Sequence, residues 1–230
     1  MERGLGRKEP TDWRHVEKYR FTRTTTSVER TIPLVWSART FYDQGTEGAC
    51  VGFSCSWMMT LLNRRRYDAF WLYREAQKVD EWPGEDYSGT SLRAGLDILR
   101  EVGHRRVAWK RTYPAALGEG IHENRWATSV DEIRGAIAEG TPVVLGINWY
   151  SSFDVPARRW PRWFIGDRPD WGWVRGGHAI CCRGASDALQ SVLLTNSWGR
   201  DYPAGVWLPY EGLARLLREN GEAGLVTDRP

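Results

Sequence analysis

Apolar residues recur at helical spacing from about residue 50 to residue 140 and then give way to short apolar runs, and this change of texture is the main architectural signal in the chain. Over residues 50–66, Phe53, Trp57 and Leu61, with Met58 and Leu62 beside them, recur at i, i+4 and i+8 and predict a helix with one apolar face. A second helix is predicted over residues 68–80, with Asp68 as N-cap and Phe70, Leu72, Tyr73 and Ala76 inside. A third covers residues 91–102, with Leu92, Leu96 and Leu99 on one face and Gly103 ending it. In a fourth, Ser129 and Glu132 form an S-x-x-E capping box, Ile133, Ala136 and Ile137 face inward, and Gly140 stops the helix. The later runs 143–149, 177–184, 191–198 and 205–209, divided by Gly, Pro, Asp and Ser, predict strands, and a last helix is predicted over 211–220. Helices first and strands second predict an α+β fold of two lobes, with a site in the cleft between them. Residues 1–35 are polar and rich in threonine (Thr22, Thr24, Thr25, Thr26) and read as an arm or an extended wrap over the surface.

Composition narrows the classes. At 230 residues the chain can bury a real core without disulfide staples. A net charge of +3 over this length gives no basic stripe for nucleic acid. The densest basic cluster, Arg64-Arg65-Arg66, follows an apolar stretch and reads as a solvated helix end. Four cysteines, Cys50, Cys55, Cys181 and Cys182, are too few for a disulfide scaffold, and adjacent strand residues point to opposite faces, so the thiols read as reduced. The first residues contain no apolar core of a secretory signal, and no stretch approaches 18 apolar residues. The expectation is a soluble protein, cytoplasmic or virion-associated, with no membrane partner. The arginine bias reflects a high-GC genome, or a virus infecting such a host, and says nothing of function.

Three segments carry chemistry. In Asp43-Gln44-Gly45-Thr46-Glu47-Gly48-Ala49-Cys50, a Gly-rich turn delivers a cysteine to the first turn of the long helix. The partial positive charge of a helix N-terminus favours a thiolate, and its free N–H groups can bind an oxyanion. Gln44 offers a side-chain donor to the same spot. On the cysteine alone, a small buried hydrophobe is the better reading. Arg175-Gly176-Gly177-His178-Ala179 places a histidine at the start of an apolar strand, where a satisfied core histidine and a catalytic one are equally well supported. In Thr195-Asn196-Ser197-Trp198-Gly199 an asparagine ends a strand; it can accept a ring N–H of His178, with Trp198 shielding that bond from water. His15, His104 and His122 lie in polar or loop-like contexts and receive no role.

Together these segments resemble the papain family of cysteine peptidases. A Gln, a Cys at a helix start, a Gly-His-Ala and an Asn-Ser-Trp-Gly occur here in the family's order, and His178 and Asn196 follow Cys50 at close to the family's spacing of roughly 130–150 residues. The resemblance implies a papain-like two-lobed fold, with a helical lobe over about residues 44–115 and a β-rich lobe over about 125–220, within a domain of residues 36–230. It implies Cys50 as nucleophile, His178 as base, Asn196 as the group orienting it, and Gln44 with the Cys50 N–H as oxyanion hole. Tyr87-Ser88-Gly89-Thr90-Ser91 resembles the family's glycine segment, so Gly89, Thr90, Gly177 and Trp198 are implied to bind a peptide or protein substrate by β-augmentation. No cofactor and no metal is implied.

Several departures qualify this. Glu47 stands where the family usually has a disulfide-bonded cysteine, Val51 replaces an aromatic, and Arg200-Asp201-Tyr202-Pro203-Ala204 replaces a Gly-rich turn. Too few residues precede Gln44 for a long inhibitory pro-segment, as in bacterial and viral members, which leaves location or the short arm as the control. The family's specificity pocket would lie among Gly89, Thr90, Ser91, Gly176, Gly177 and Ala179. All are small and uncharged, so bulky apolar substrate residues are expected, unless Trp171 or Trp173 fills the pocket or an acid such as Asp170 or Glu211 reaches in. Two other readings stand beside the peptidase: an acyl-transfer or cell-wall peptide hydrolase, and a papain-fold binding component of an assembly such as a virus particle. An assembly partner would dock on the arm or on residues 149–173, whose five tryptophans read more simply as packing onto the lobe interface.

Overall fold

The computed structural model describes residues 3–34, 42–82, 88–109 and 111–227. Tyr87 and the expected boundary at residues 35–36 lie outside these. The arm contributes β1 (Arg7–Lys8), α1 (Arg14–Lys18) and β2 (Glu29–Thr31). The helical part follows, with α2 (Cys50–Asn63), β3 (Arg66–Tyr67), α3 (Ala69–Val79), β4 (Thr90–Ser91), α4 (Leu92–Glu101), β5 (Arg106–Ala108) and β6 (Arg111–Thr112). The β-rich part holds β7 (Glu123–Ala127), α5 (Val130–Glu139), β8 (Val143–Tyr150), β9 (Ala157–Arg159), β10 (Arg162–Phe164), β11 (Val174–Ser186), β12 (Ser191–Thr195), β13 (Val206–Pro209), α6 (Tyr210–Arg218) and β14 (Glu222–Thr227). Among the described residues, no helix is long and apolar enough to cross a membrane.

Helix starts follow their caps. The Asp68 and Ser91 side chains accept from Trp71 N and Ala94 N, and Ser129 accepts from Glu132 N. The Glu132 carboxylate does not close the reciprocal half of a capping box. It takes the Thr128 N–H at 2.6 Å and the Arg20 guanidinium at 2.9 Å, which ties the arm to α5. Helix α2 departs from expectation more fully. Every residue from Cys50 to Leu61 is buried, so the helix has no polar face and runs through the interior. It ends at Asn63 with Arg64 left-handed as C-cap, and Arg66 already belongs to β3.

The large sheet runs β7-β14-β8-β11-β12-β13-β10-β9, with β2 added along β11. Strand β11 separates two cores through its period of two. Ile180 and Cys182 join the β-lobe core with Ile147, Leu194 and Trp149. Ala179 and Cys181 face the helical core with Cys50, Trp57 and Leu96. The two adjacent cysteines therefore point to opposite sides, and all four thiols are free. The architecture is two-lobed α+β, with α2 packed against β11 where the lobes meet. His104, given no place from sequence, is wholly buried, stacked on Tyr67 with its Nε2 2.9 Å from Ser56 Oγ.

Candidate active site

Cys50 opens α2 behind a cap, Ala49, that makes no side-chain bond, and no acidic residue lies in the first turn. The positive end of the helix is therefore uncompensated at the thiol. The Sγ also accepts the Ala179 N–H at 3.3 Å, which brings β11 and the helix start together. His178 precedes that residue. Its Nε2 lies 2.9 Å from Asn196 Oδ1, and the same oxygen accepts the Ser197 N–H at 2.8 Å. An atom that accepts a backbone N–H is an acceptor, so His178 Nε2 carries the proton and donates. Nδ1 keeps its lone pair; it is buried and makes no hydrogen bond. Trp149 meets the imidazole edge-on at 4.7 Å between centroids and Trp198 lies 5.1 Å away, fixing the ring between them. Trp149 is itself held by Asp154, which also accepts from Arg175.

The cleft is filled by the chain's own N-terminus. Gly4 N donates to Gly45 O, Gly6 N to Gly177 O, and Thr90 N to Gly6 O, while β1 pairs in parallel with β4. The Gly4 carbonyl accepts from Gln44 Nε2 and from Trp198 Nε1, each at 3.2 Å. Gln44 Nε2 also donates to Glu47 O at 2.9 Å, and two facing carbonyls fix which end of the amide is the donor. The approach is close enough to exclude side chains. A Cβ on Gly6 would lie 2.1 Å from Gly48 O, and one on Gly177 would lie 2.1 Å from Arg7 O. The arm thus enters the cleft instead of lying only on the surface.

Burial dominates the electrostatics. The Cys50 thiol is pushed up to about 12 by burial, with the Ala179 N–H pulling the other way. His178 is pushed down to about 4 by burial, opposed by its Asn196 bond. Cys182 is raised to about 12, and Cys55 and Cys181 are raised too, so Cys50 is not a distinctively acidic thiol while the arm is in place. The structure brings Cys50, His178, Asn196, Gln44, Gly89, Thr90, Gly177 and Trp198 to one cleft. The sequence carried no sign of Gly4, Arg7 or Glu222 at the site, and it did not foretell that the Ala179 N–H holds the thiol or that Trp149 packs on the imidazole. Arg7 and Glu222 form a buried ion pair at the side of the cleft, whereas Asp170 and Glu211 are exposed. Trp171 is buried in the β-lobe core against Tyr150 and Phe153, while Trp160 and Trp173 stand exposed, so residues 149–173 are only partly interior.

No family model matches the sequence, and no curated protein matches it. Solved structures do match. Xylellain, a cysteine protease from Xylella fastidiosa, superposes with a TM-score of 0.79 at 18% identity over 100% of this chain and 97% of that one. A procathepsin B from Trypanosoma congolense gives 0.65 at 11% identity, covering 97% and 87%. Procathepsin L 3 of Tenebrio molitor gives 0.62 at 12%, covering 98% and 76%. The fold is papain-like.

Proposed function

We propose that this chain, on its papain-like fold, is a cysteine peptidase held latent by its own N-terminal arm. The observation that carries the reading is the chemistry converging on Cys50: a thiol at an uncapped helix start, a histidine whose free Nδ1 is set by the Asn196 bond to Nε2, and an amide donor already spent on a peptide carbonyl. The cleft also holds extended main chain by backbone hydrogen bonds, as a peptide substrate requires.

With the arm displaced, water re-enters and the burial that keeps the thiol protonated is relieved. His178 Nδ1 then takes the Cys50 proton, and the thiolate attacks the scissile carbonyl carbon. The oxyanion forms where Gln44 Nε2 and the Cys50 N–H can donate to it. The imidazolium passes its proton to the departing amine as the C–N bond breaks, leaving a thioester on Cys50. Water attacks the thioester while His178 takes its proton, and the proton returns to sulfur as the acid leaves. Asn196 and the two flanking tryptophans keep the ring in one orientation throughout. Treatment with a thiol-reactive peptide epoxide, followed by mapping of the modified residue, tests the reading. Modification confined to Cys50 is expected; modification of another cysteine, or none after the arm is loosened, would reject it.

A further inference from the structure

The large sheet ends in a hairpin, and β12 and β13 stand between it and β11, the strand of His178. Strands β9 and β10 pair antiparallel, with Arg159 opposite Arg162, Arg158 opposite Trp163 and Ala157 opposite Phe164, and Trp160 and Pro161 form the turn. β10 joins β13 through Phe164 and Trp207, and among the described residues β9 has β10 alone as neighbour. Trp163 packs on the β-lobe core and roots the hairpin. Beyond that root the hairpin stands in solvent. Arg158, Arg159, Pro161 and Arg162 are exposed, and Trp160 keeps 79% of its surface open.

Such a tip is poorly matched to plain water. Arg159 and Arg162 place like charges directly opposite one another, which is destabilising across a strand pair. Asp167 balances Arg159 at 2.7 Å. Among the described residues, no carboxylate reaches Arg158 or Arg162, and neither guanidinium makes a hydrogen bond. Arg158 lies over the Trp160 ring at 4.4 Å and the Trp163 ring at 5.4 Å, so its plane is held while its N–H edge stays unspent. Arginines alone would be accounted for as charges that keep an edge strand from pairing with another chain. An open indole between them is not, because it invites the contact that such charges prevent.

We propose that the β9–β10 hairpin is a docking surface for an anionic phospholipid membrane, with Trp160 and Pro161 entering the headgroup layer and Arg158 and Arg162 taking lipid phosphates. The match holds on both counts. An indole suits the zone where apolar chains meet polar headgroups, and a guanidinium holds a phosphate through two N–H groups. Residues 155–164 contain three arginines and no acid, so nothing within the hairpin opposes the attraction. A protein partner fits less well. The open apolar surface of the turn is one indole and one proline ring, whereas a stable interface takes roughly 800 Å² from each partner. The expectation of no membrane partner rested on the lack of a spanning stretch, and a tip resting in the headgroup layer needs none.

The test uses the full chain and co-sedimentation with vesicles of phosphatidylcholine, alone or mixed with phosphatidylglycerol. Binding should be confined to the mixed vesicles and should weaken as salt is raised. Arg158→Gln/Arg162→Gln should lower the partition constant about 30-fold, the loss set by two basic residues at a charged membrane. Trp160→Ser should lower it about tenfold. Lipid brominated in its acyl chains should quench part of the tryptophan fluorescence of the wild type, and Trp160→Ser should lose that part. All three positions are exposed, so each variant should melt with the wild type, which separates lost binding from lost fold. Cys50→Ala should bind as the wild type does, so the outcome is independent of the peptidase reading. Equal binding to phosphatidylcholine alone, binding that survives both variants, or no binding at low salt would overturn the proposal. Capture of a polyglutamate peptide or an RNA oligonucleotide through the same residues, with vesicles ignored, would assign the hairpin to another partner and overturn it equally.

Discussion

Gly6→Ala should activate the protein. The new Cβ would lie 2.1 Å from Gly48 O and 2.6 Å from the Gly48 carbonyl carbon, both main chain of the turn leading to Cys50, so neither can swing aside. Gly6 also sits at φ +151°, a conformation that residues with a Cβ rarely adopt. Overpacking of this kind costs about 1–3 kcal/mol. With the backbone penalty added, the docked arm should lose about 2–4 kcal/mol relative to the free arm. At about 1.4 kcal/mol per factor of ten, the fraction of open cleft rises roughly 30- to 10³-fold while the docked form still predominates. The rate of Cys50 alkylation by iodoacetamide should rise by the same factor, measured by intact mass with peptide mapping. The rest of the fold should be little affected, since the lobes keep their own cores. An alkylation rate within about threefold of wild type, with the variant folded, would refute the claim that the arm closes the site.

In an arm-loosened background, Gln44→Ala should lower kcat about 10²–10³-fold with little change in KM, the usual cost of one oxyanion donor; steady-state kinetics on a peptide substrate check it. Thermal melts with and without dithiothreitol should coincide, since all four cysteines are free, and a drop of several degrees on reduction would contradict this. Burial holds His104 down at about 3, so it stays neutral in the fold while the unfolded chain's histidine protonates below about 6.5. The unfolded state then binds more protons, and stability is lost as pH falls through that window by about 1.4 kcal/mol per pH unit for this residue. Urea titrations between pH 6 and pH 4 should show the slope, and His104→Gln should remove that part of it.

What was legible in the sequence was local. Asp68, Ser91 and Ser129 mark helix starts because a short polar side chain meets an unpaired N–H there, and each does so in the structure. Cys50, His178, Asn196 and Gln44 were legible through the family resemblance of their motifs rather than through local physics, which left Cys50 reading as a buried hydrophobe, and the fold gathers them in one cleft. What was missed depends on partners distant in sequence. Arg7 and Glu222 are 215 positions apart, each in a stretch that reads as solvated charge, and neither carries a local sign of pairing. Strand β14 was overlooked because Glu222 opens it and Gly224 interrupts its apolar run. The periodicity of α2 predicted one buried face, but a helix enclosed on all sides tolerates small and polar residues such as Ser54 and Ser56, which bond back to Val51 O and Gly52 O. Gly4 and Gly6 carried no signal at all, because their use lies in the missing side chain and appears only when Gly48 and Glu47 come against them.

Hydrolysis through an acyl-thiol on Cys50 can be caught by trapping that intermediate. The Gly6→Ala chain would be mixed with a peptide ester at low pH, quenched in acid within the first turnover, and analysed by mass spectrometry. A single acyl adduct is expected on the peptide containing Cys50, displaced by hydroxylamine, and neither adduct nor turnover in Cys50→Ala. Turnover that persists in Cys50→Ala, or an adduct carried by Cys55, Cys181 or Cys182, would contradict it.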